Sequence, residues 1–171
     1  MTVNDTPAHA ASNHDRPADD TPAPTKGRRY EDFEVGAVYR HWPGRTISET
    51  DNSWFTLVTM NTHPIHFDAA YAAGTQFGKP LVNSCLTLSI VVGMSVRDVS
   101  QAAIANLGFE KVELPAPVFH GDTLYASSEV LAMRPSKSDP SRGIVRVRTV
   151  ATNQDGVEVL RLERAVLVPR G

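Results

Sequence analysis

A short polar segment carries the residues best suited to chemistry in this chain of 171 residues. Asn61, His63 and His66 follow one another within it, and Asp68 closes it. Histidine transfers protons readily because its ordinary pKa lies close to neutral pH. An amide such as that of Asn61 holds a water molecule through its donor and acceptor groups, but it cannot take up the water's proton. The segment therefore indicates an acid–base site built on imidazole.

Two predicted helices lie on either side of this segment. The first begins after a capping residue, Ser48 or Thr50, and ends near Met60. Its apolar residues have mostly helical spacing: Trp54, Phe55, Leu57 and Val58. The second, about residues 81–99, is apolar on almost every side, which predicts burial on most sides. Small and polar residues interrupt it, so it suits a protein core better than a membrane span, which needs roughly 20 apolar residues.

The second half of the chain is rich in strand signals. Alternating and β-branched residues predict strands over residues 105–114, 123–133, 143–152 and 157–168. Asp155-Gly156 favours a hairpin turn between the last two, and residues 38–47 form a further extended segment. One long helix beside several antiparallel strands predicts an α+β fold.

Composition excludes several classes of protein. The formal net charge of −2 gives no electrostatic basis for binding nucleic acid. The one cysteine, Cys85, cannot form an intrachain disulfide or supply the usual Cys/His zinc site. A lone cysteine is typical of a reducing compartment, so we expect a cytoplasmic protein with no metal and no cofactor.

The first 27 residues differ from the rest. They are rich in Ala, Pro, Asp, Thr and Asn and almost lack large apolar side chains. Such a segment cannot bury enough surface to offset the entropy lost on folding, so we expect a disordered tail. It has no continuous apolar run of the kind that a signal peptide requires. The predicted folded domain is a single unit over residues 28–171.

Four segments resemble the MaoC-like family, which includes the (R)-specific enoyl-CoA hydratases. The family signature reads Asp-x-Asn-Pro-x-His-x-Asp, and residues 61–68 match it at Pro64, His66 and Asp68. The other segments, in the family's order, are residues 44–51, 77–84 and 117–124. The resemblance implies the hot-dog fold, in which an antiparallel sheet wraps around a long helix. It also implies a homodimer with the two sheets joined edge to edge.

The resemblance further implies hydration of a trans-2-enoyl-CoA thioester, or the reverse dehydration. Such a reaction needs a base for the water, a proton for the α-carbon and a donor for the thioester oxygen. His66 occupies the family's acid–base position. His63 stands where the family has asparagine, and we expect it either to orient water or a substrate group, or to stabilise the loop.

Asn61 stands where the family carries its catalytic aspartate. One interpretation makes His66 the sole base, with Asn61 orienting the water; this is the one we favour. In another, a nearby carboxylate takes the aspartate's place, although each candidate also suits a helix cap or first turn: Glu49, Asp51 and Asp68. A third interpretation is an inactive relative in which Asn61 is only a loop residue.

The start of the second helix is the expected oxyanion donor. In the family a backbone N–H at this point donates to the thioester oxygen, and Asn83 and Ser84 replace its His-Gly pair. A helix N-terminus favours developing negative charge, so the role can pass to Ser84 whatever its side chain. Asn83 is expected to contact substrate or to cap the helix. We expect Cys85 to pack as a small apolar residue rather than to act as a nucleophile.

Basic residues near the motifs are candidates for binding substrate anions. Lys79, in the turn before the second helix, is a candidate for the CoA phosphates or a solvated loop residue. The motif combination resembles a branch associated with short branched or dicarboxylic acyl-CoAs such as mesaconyl-, itaconyl- or methylglutaconyl-CoA. A second substrate carboxylate would favour a cation in the pocket, and Arg45, Lys79 and Arg97 are the candidates.

Two other functions suit the same fold. A hot-dog thioesterase would bind the same thioesters, but it needs a carboxylate or a positioned water aimed at the carbonyl carbon. A catalytically inactive subunit would pair with an active hot-dog partner, and Asn61 is the residue that favours this alternative. The loop around His66 favours the hydratase.

Overall fold

Five strands form one antiparallel sheet in the computed structural model, which describes residues 24–171. The strands lie side by side in the order β1-β3-β4-β5-β2. Their bounds are Val38–Thr46 for β1, Ala105–Glu113 for β2, Thr123–Pro135 for β3, Arg142–Thr152 for β4 and Glu158–Pro169 for β5. The predicted strands agree with these bounds to within a few residues. The sheet and its helices confirm the α+β class.

Alternation along the strands explains which face of the sheet is buried. In β4, Val145, Val147 and Ala151 are fully buried on the inner face, whereas Arg146 and Arg148 lie on the outer face. This period of two places every second side chain in the core. Outside, Arg146 and Arg148 donate to the carboxylate of Glu163 on β5, at 2.8 and 3.5 Å.

The central helix, α3 (Ser84–Met94), begins later than predicted. The side chain of Asn83 accepts the N–H of Cys85 at 3.0 Å and so caps the helix. Leu81 and Val82 precede this cap, and Leu81 instead bridges to Phe119. The apolar character of these two residues had extended the predicted helix by three positions.

The same helix also ends earlier than predicted. After Met94 the backbone widens into a π-helical turn over Val96–Ser100. Asp98 of this turn is buried and binds the imidazole Nδ1 of His41, on β1, at 2.8 Å. The prediction of one continuous helix to residue 99 was wrong because a buried polar contact, which apolar spacing does not reveal, sets the geometry here.

One side of α3 is exposed. Its buried side chains are Leu86, Thr87 and Val91. The exposed side consists of small residues four positions apart, Cys85, Ser89 and Gly93, which therefore form a stripe along the helix. The predictions that α3 is buried on most sides and that Cys85 packs inside are wrong for a single chain.

Helix α1 (Glu49–Val58) delivers the polar segment to the start of α3. Of the two predicted caps, Ser48 is the one used: its hydroxyl accepts the N–H of Asp51, and Asp51 accepts the N–H of Ser48 in return. Beyond the helix, Met60 has a left-handed φ of 60°. This reversal lets the N–H of Asn61 close the helix on the carbonyl of Thr56 at 3.0 Å.

The predicted tail, residues 1–27, lies mostly outside the described residues, so its disorder and the domain boundary at residue 28 stay predictions. Among the residues that the structure does describe, no helix is long and apolar enough to cross a membrane.

Candidate active site

Side-chain-to-backbone hydrogen bonds hold the loop that follows α1. The side-chain oxygen of Asn61 accepts the N–H of His63 at 3.0 Å. The Nδ1 atom of His63 in turn accepts the N–H of Ile65 at 3.2 Å, which places the ring proton on Nε2. The loop thus uses one lone pair of each side chain. Within residues 24–171 no partner is found for the NH₂ group of Asn61 or the Nε2–H of His63, so both stay available as donors.

His66 lies on a 3₁₀ turn, Pro64–His66, with its ring orientation fixed by the backbone. Its Nδ1 donates to the carbonyl oxygen of Leu81 at 3.0 Å, because a carbonyl can only accept. Nδ1 therefore carries a proton, and in the neutral ring Nε2 is the acceptor. The rings of His63 and His66 are 6.0 Å apart between centroids. With both rings neutral, His66 offers an acceptor through Nε2 and His63 a donor through its own Nε2–H.

Asn52, which the sequence analysis did not identify, joins the parts of the site. Its Nδ2 donates to the carbonyls of His66 and Leu81 at 2.8 and 2.9 Å, and Nε2 of His120 lies 2.9 Å from the same nitrogen. Its Oδ1 accepts the N–H of Asn83 at 2.8 Å. The residue is fully buried. One amide therefore connects α1, the histidine loop, the turn before β3 and the start of α3.

Helix α1 is polar on its buried side. Asn52 and Thr56, four positions apart, are fully buried, whereas Trp54, Leu57 and Val58 are exposed. The spacing of the apolar residues predicts the helix but not which side of it faces inward. Two polar residues on the other side of the helix, at i and i+4, were the signal available for Asn52.

The first residue of α3 offers a backbone donor. The N–H of Asn83 is bound to Asn52 and the N–H of Cys85 to Asn83, but within residues 24–171 no hydrogen-bond partner is found for the N–H of Ser84. Ser84 is exposed, so a ligand can reach it. Asn83 is buried as the helix cap, and its contact with substrate stays a prediction.

The nearby carboxylates are engaged elsewhere. Asp51 accepts hydrogen bonds from Ser48 and, at 2.9 and 3.0 Å, from the guanidinium of Arg45. The backbone N–H of Ser48, followed by its hydroxyl and by Arg45, lowers the pKa of Asp51. Asp68 caps helix α2 (Ala69–Ala73) by accepting the N–H of Tyr71 at 2.9 Å. Of the carboxylates considered to replace the family aspartate, these two serve helix ends instead.

The three candidate cations lie in different places. Arg45 is bound to Asp51, and Arg97 is in the π-helical turn, beyond the end of α3 opposite Ser84. Lys79 lies closer to the histidine loop, with Nζ 4.2 Å from the ring centroid of Phe119. Among the described residues, no group of three or more His, Cys, Asp or Glu side chains could hold a metal ion.

An antiparallel sheet packed on one central helix defines a hot-dog domain, and here a histidine loop lies at the N-terminus of that helix. The fold is shared with a conserved hypothetical protein of Mycobacterium tuberculosis that has a double hotdog fold: the TM-score is 0.78 at 23% identity, over 86% of this chain and 46% of that one. The chain belongs to the MaoC-like family, because the family model described as a MaoC like domain matches residues 32–153.

Two relatives with named activities are similar along most of this chain. The β-methylmalyl-CoA dehydratase of Chloroflexus aurantiacus is 34% identical over 142 residues, 83% of this chain and 40% of that protein. The (R)-specific enoyl-CoA hydratase of Aeromonas caviae is 30% identical over 139 residues, 81% of this chain and 98% of that protein. The chain thus spans about two-fifths of the first relative and nearly all of the second.

Proposed function

We propose that this protein is a carbon–oxygen lyase that adds water to the double bond of a 2-enoyl-CoA thioester, or removes it in reverse. The observation that carries this is the hydrogen bond from Nδ1 of His66 to the carbonyl oxygen of Leu81, which makes Nε2 the acceptor of the neutral ring. The two relatives, a dehydratase and a hydratase of CoA thioesters, support the same reaction.

The roles follow from the groups that the loop leaves available. His66 Nε2 takes a proton from the water as its oxygen bonds to the β-carbon, and the imidazolium returns a proton to the α-carbon. The N–H of Ser84 donates to the thioester oxygen while enolate charge develops there. Asn61 orients the water or a substrate group through its NH₂. Lys79 is the candidate contact for the CoA phosphates.

We also propose a homodimer. The edge strand β2 has unpaired backbone groups along one side, and its apolar residues Leu107 and Phe109 are half exposed. The small-residue stripe of α3 is a second uncovered surface. Sedimentation at micromolar concentration should give a dimer, and Phe109→Lys should weaken it. A monomeric wild type would contradict the proposal. The cytoplasm stays our predicted location, on the ground of the lone cysteine.

The purified chain should be assayed with crotonyl-CoA and mesaconyl-CoA, following both the loss of the double bond and the release of free thiol. Hydration without thiol release is the expected result. Thiol release would identify a thioesterase. Such an enzyme needs a carboxylate or a positioned water, and Asp51 and Asp68 are already engaged at helix ends. Absence of both reactions would identify an inactive subunit.

A further inference from the structure

The donors that the loop leaves unused point to the substrate. We propose that Asn61 and His63 bind a carboxylate attached to the β-carbon, so that the enzyme prefers 2-enoyl thioesters that carry this carboxylate. The inference rests on the proposed hydratase function and assigns the recognition to two neutral side chains rather than to Arg45, Lys79 or Arg97.

The donor count is the first argument. The side-chain oxygen of Asn61 is occupied by the N–H of His63, and Nδ1 of His63 by the N–H of Ile65. Each residue still has a donor for another partner, the NH₂ of Asn61 and the Nε2–H of His63. Two neighbouring donors suit an anion, since a carboxylate only accepts.

Location is the second argument. The ring of His63 lies 6.0 Å from the ring of His66, and Asn61 is hydrogen-bonded to the backbone of His63. In the proposed reaction, the water held by His66 attacks the β-carbon. A substituent on that carbon therefore lies within reach of the same loop. The substrate named for the Chloroflexus aurantiacus dehydratase, β-methylmalyl-CoA, has a carboxylate on the carbon that bears the hydroxyl.

Repulsion between two carboxylates, one at position 61 and one on the substrate, would explain why residue 61 is not an aspartate here. Two carboxylates about 4 Å apart repel each other strongly enough to weaken binding by roughly ten- to a thousandfold. An aspartate at this position would face a β-carboxylate at close range. Asn61 has the same shape, keeps the acceptor that holds the N–H of His63, and replaces the charge with a donor.

The test measures selectivity rather than activity. For the wild type, Asn61→Asp and His63→Asn, kcat/KM is determined with mesaconyl-CoA and with crotonyl-CoA, which lacks the carboxylate. Both variants keep an oxygen for the loop bond: the introduced carboxylate would accept the N–H of His63, and the introduced asparagine would accept the N–H of the residue two positions on. The matched control is Thr62→Val, an exposed neighbour in the same loop.

We expect the wild type to prefer mesaconyl-CoA and both variants to lower the mesaconyl/crotonyl ratio by at least roughly tenfold, Asn61→Asp the more. Thr62→Val should leave the ratio unchanged. For any variant without turnover, dissociation constants for succinyl-CoA and butyryl-CoA replace the kinetic ratio, since both bind without reacting.

The possible failures are distinct. A wild type that hydrates crotonyl-CoA as well as or better than mesaconyl-CoA, or an unchanged ratio in Asn61→Asp, would overturn the carboxylate site and leave the hydratase intact. A wild type that hydrates neither substrate would overturn the proposed function itself, and the inference with it.

Discussion

The Nδ1–H of His66 donates to the carbonyl oxygen of Leu81 at 3.0 Å. This contact fixes both the direction of the ring and the position of its proton. It also connects the base to the residue three positions before Ser84, so that the proton acceptor and the candidate oxyanion donor are held by one stretch of backbone. The acid–base and oxyanion groups of the proposed reaction therefore keep a constant relation to each other.

Replacing His66 removes the proposed base. His66→Ala should lower kcat by about 10²–10⁴-fold, the usual contribution of general acid–base catalysis. The fold should remain, because Asn52 still binds the carbonyl oxygens of residues 66 and 81 through its amide. Steady-state kinetics with crotonyl-CoA measure the loss of kcat, and circular dichroism measures whether the fold remains. Near-normal turnover in this variant would exclude His66 from the mechanism.

Ser84→Pro tests the oxyanion donor directly. Ser84 is the first residue of α3, a position where proline is well tolerated, and proline lacks an N–H. The preceding residue, Asn83, has ψ 128°, which is the conformation that proline demands of its neighbour. We expect kcat to fall by about 10²–10³-fold in line with the loss of one oxyanion donor.

The control for this variant is Ser84→Ala, which removes the hydroxyl and keeps the N–H. It should have nearly the activity of the wild type. If Ser84→Ala were impaired as strongly as Ser84→Pro, the hydroxyl rather than the backbone would be the active group.

The sequence predicted the strands and the histidine loop because both depend on local patterns. Alternation in β4 determines which side chains are buried, and the motif around His66 lies in one continuous segment. The role of Asn52 could not be predicted in this way. Its spacing from Thr56 indicates at most a polar side of the helix, whereas its four partners come from distant segments. The extent of α3 was mispredicted for a similar reason, since the contact of Asp98 with His41 joins residues far apart in the chain.

Asn52 should be important for both stability and activity. Asn52→Ala leaves the buried N–H of Asn83 and the carbonyl oxygen of His66 without this partner, whereas the carbonyl of Leu81 keeps the Nδ1–H of His66. A buried unsatisfied group costs about 1–3 kcal/mol, so the free energy of unfolding should fall by roughly 2 kcal/mol or more. Urea denaturation measures this loss, and kcat should fall with it because the histidine loop loses its anchor.

A matched variant separates the two sides of the Asn52 amide. Asn52→Asp keeps an acceptor for the N–H of Asn83 but removes the donors to His66, Leu81 and His120. It should still be strongly destabilised. Stability equal to that of the wild type in either variant would show that the buried amide does not anchor the site.

Asp51 should make the start of α1 sensitive to acid. Hydrogen bonds from Ser48 and the charge of Arg45 lower its pKa below the ordinary 3.8, so the folded state favours the ionised form. Its contribution to stability is therefore fully present above that ordinary value and is lost as the pH falls through the lower, folded-state pKa. Asp51→Asn removes the charge but keeps an oxygen for the N–H of Ser48, so the free energy of unfolding should fall by about 0.3–1 kcal/mol at pH 7. Urea denaturation of both proteins between pH 7 and pH 3 should show this difference shrinking only at the acid end. A difference that stays constant down to pH 3 would mean that the carboxylate's charge does not stabilise this end of the helix.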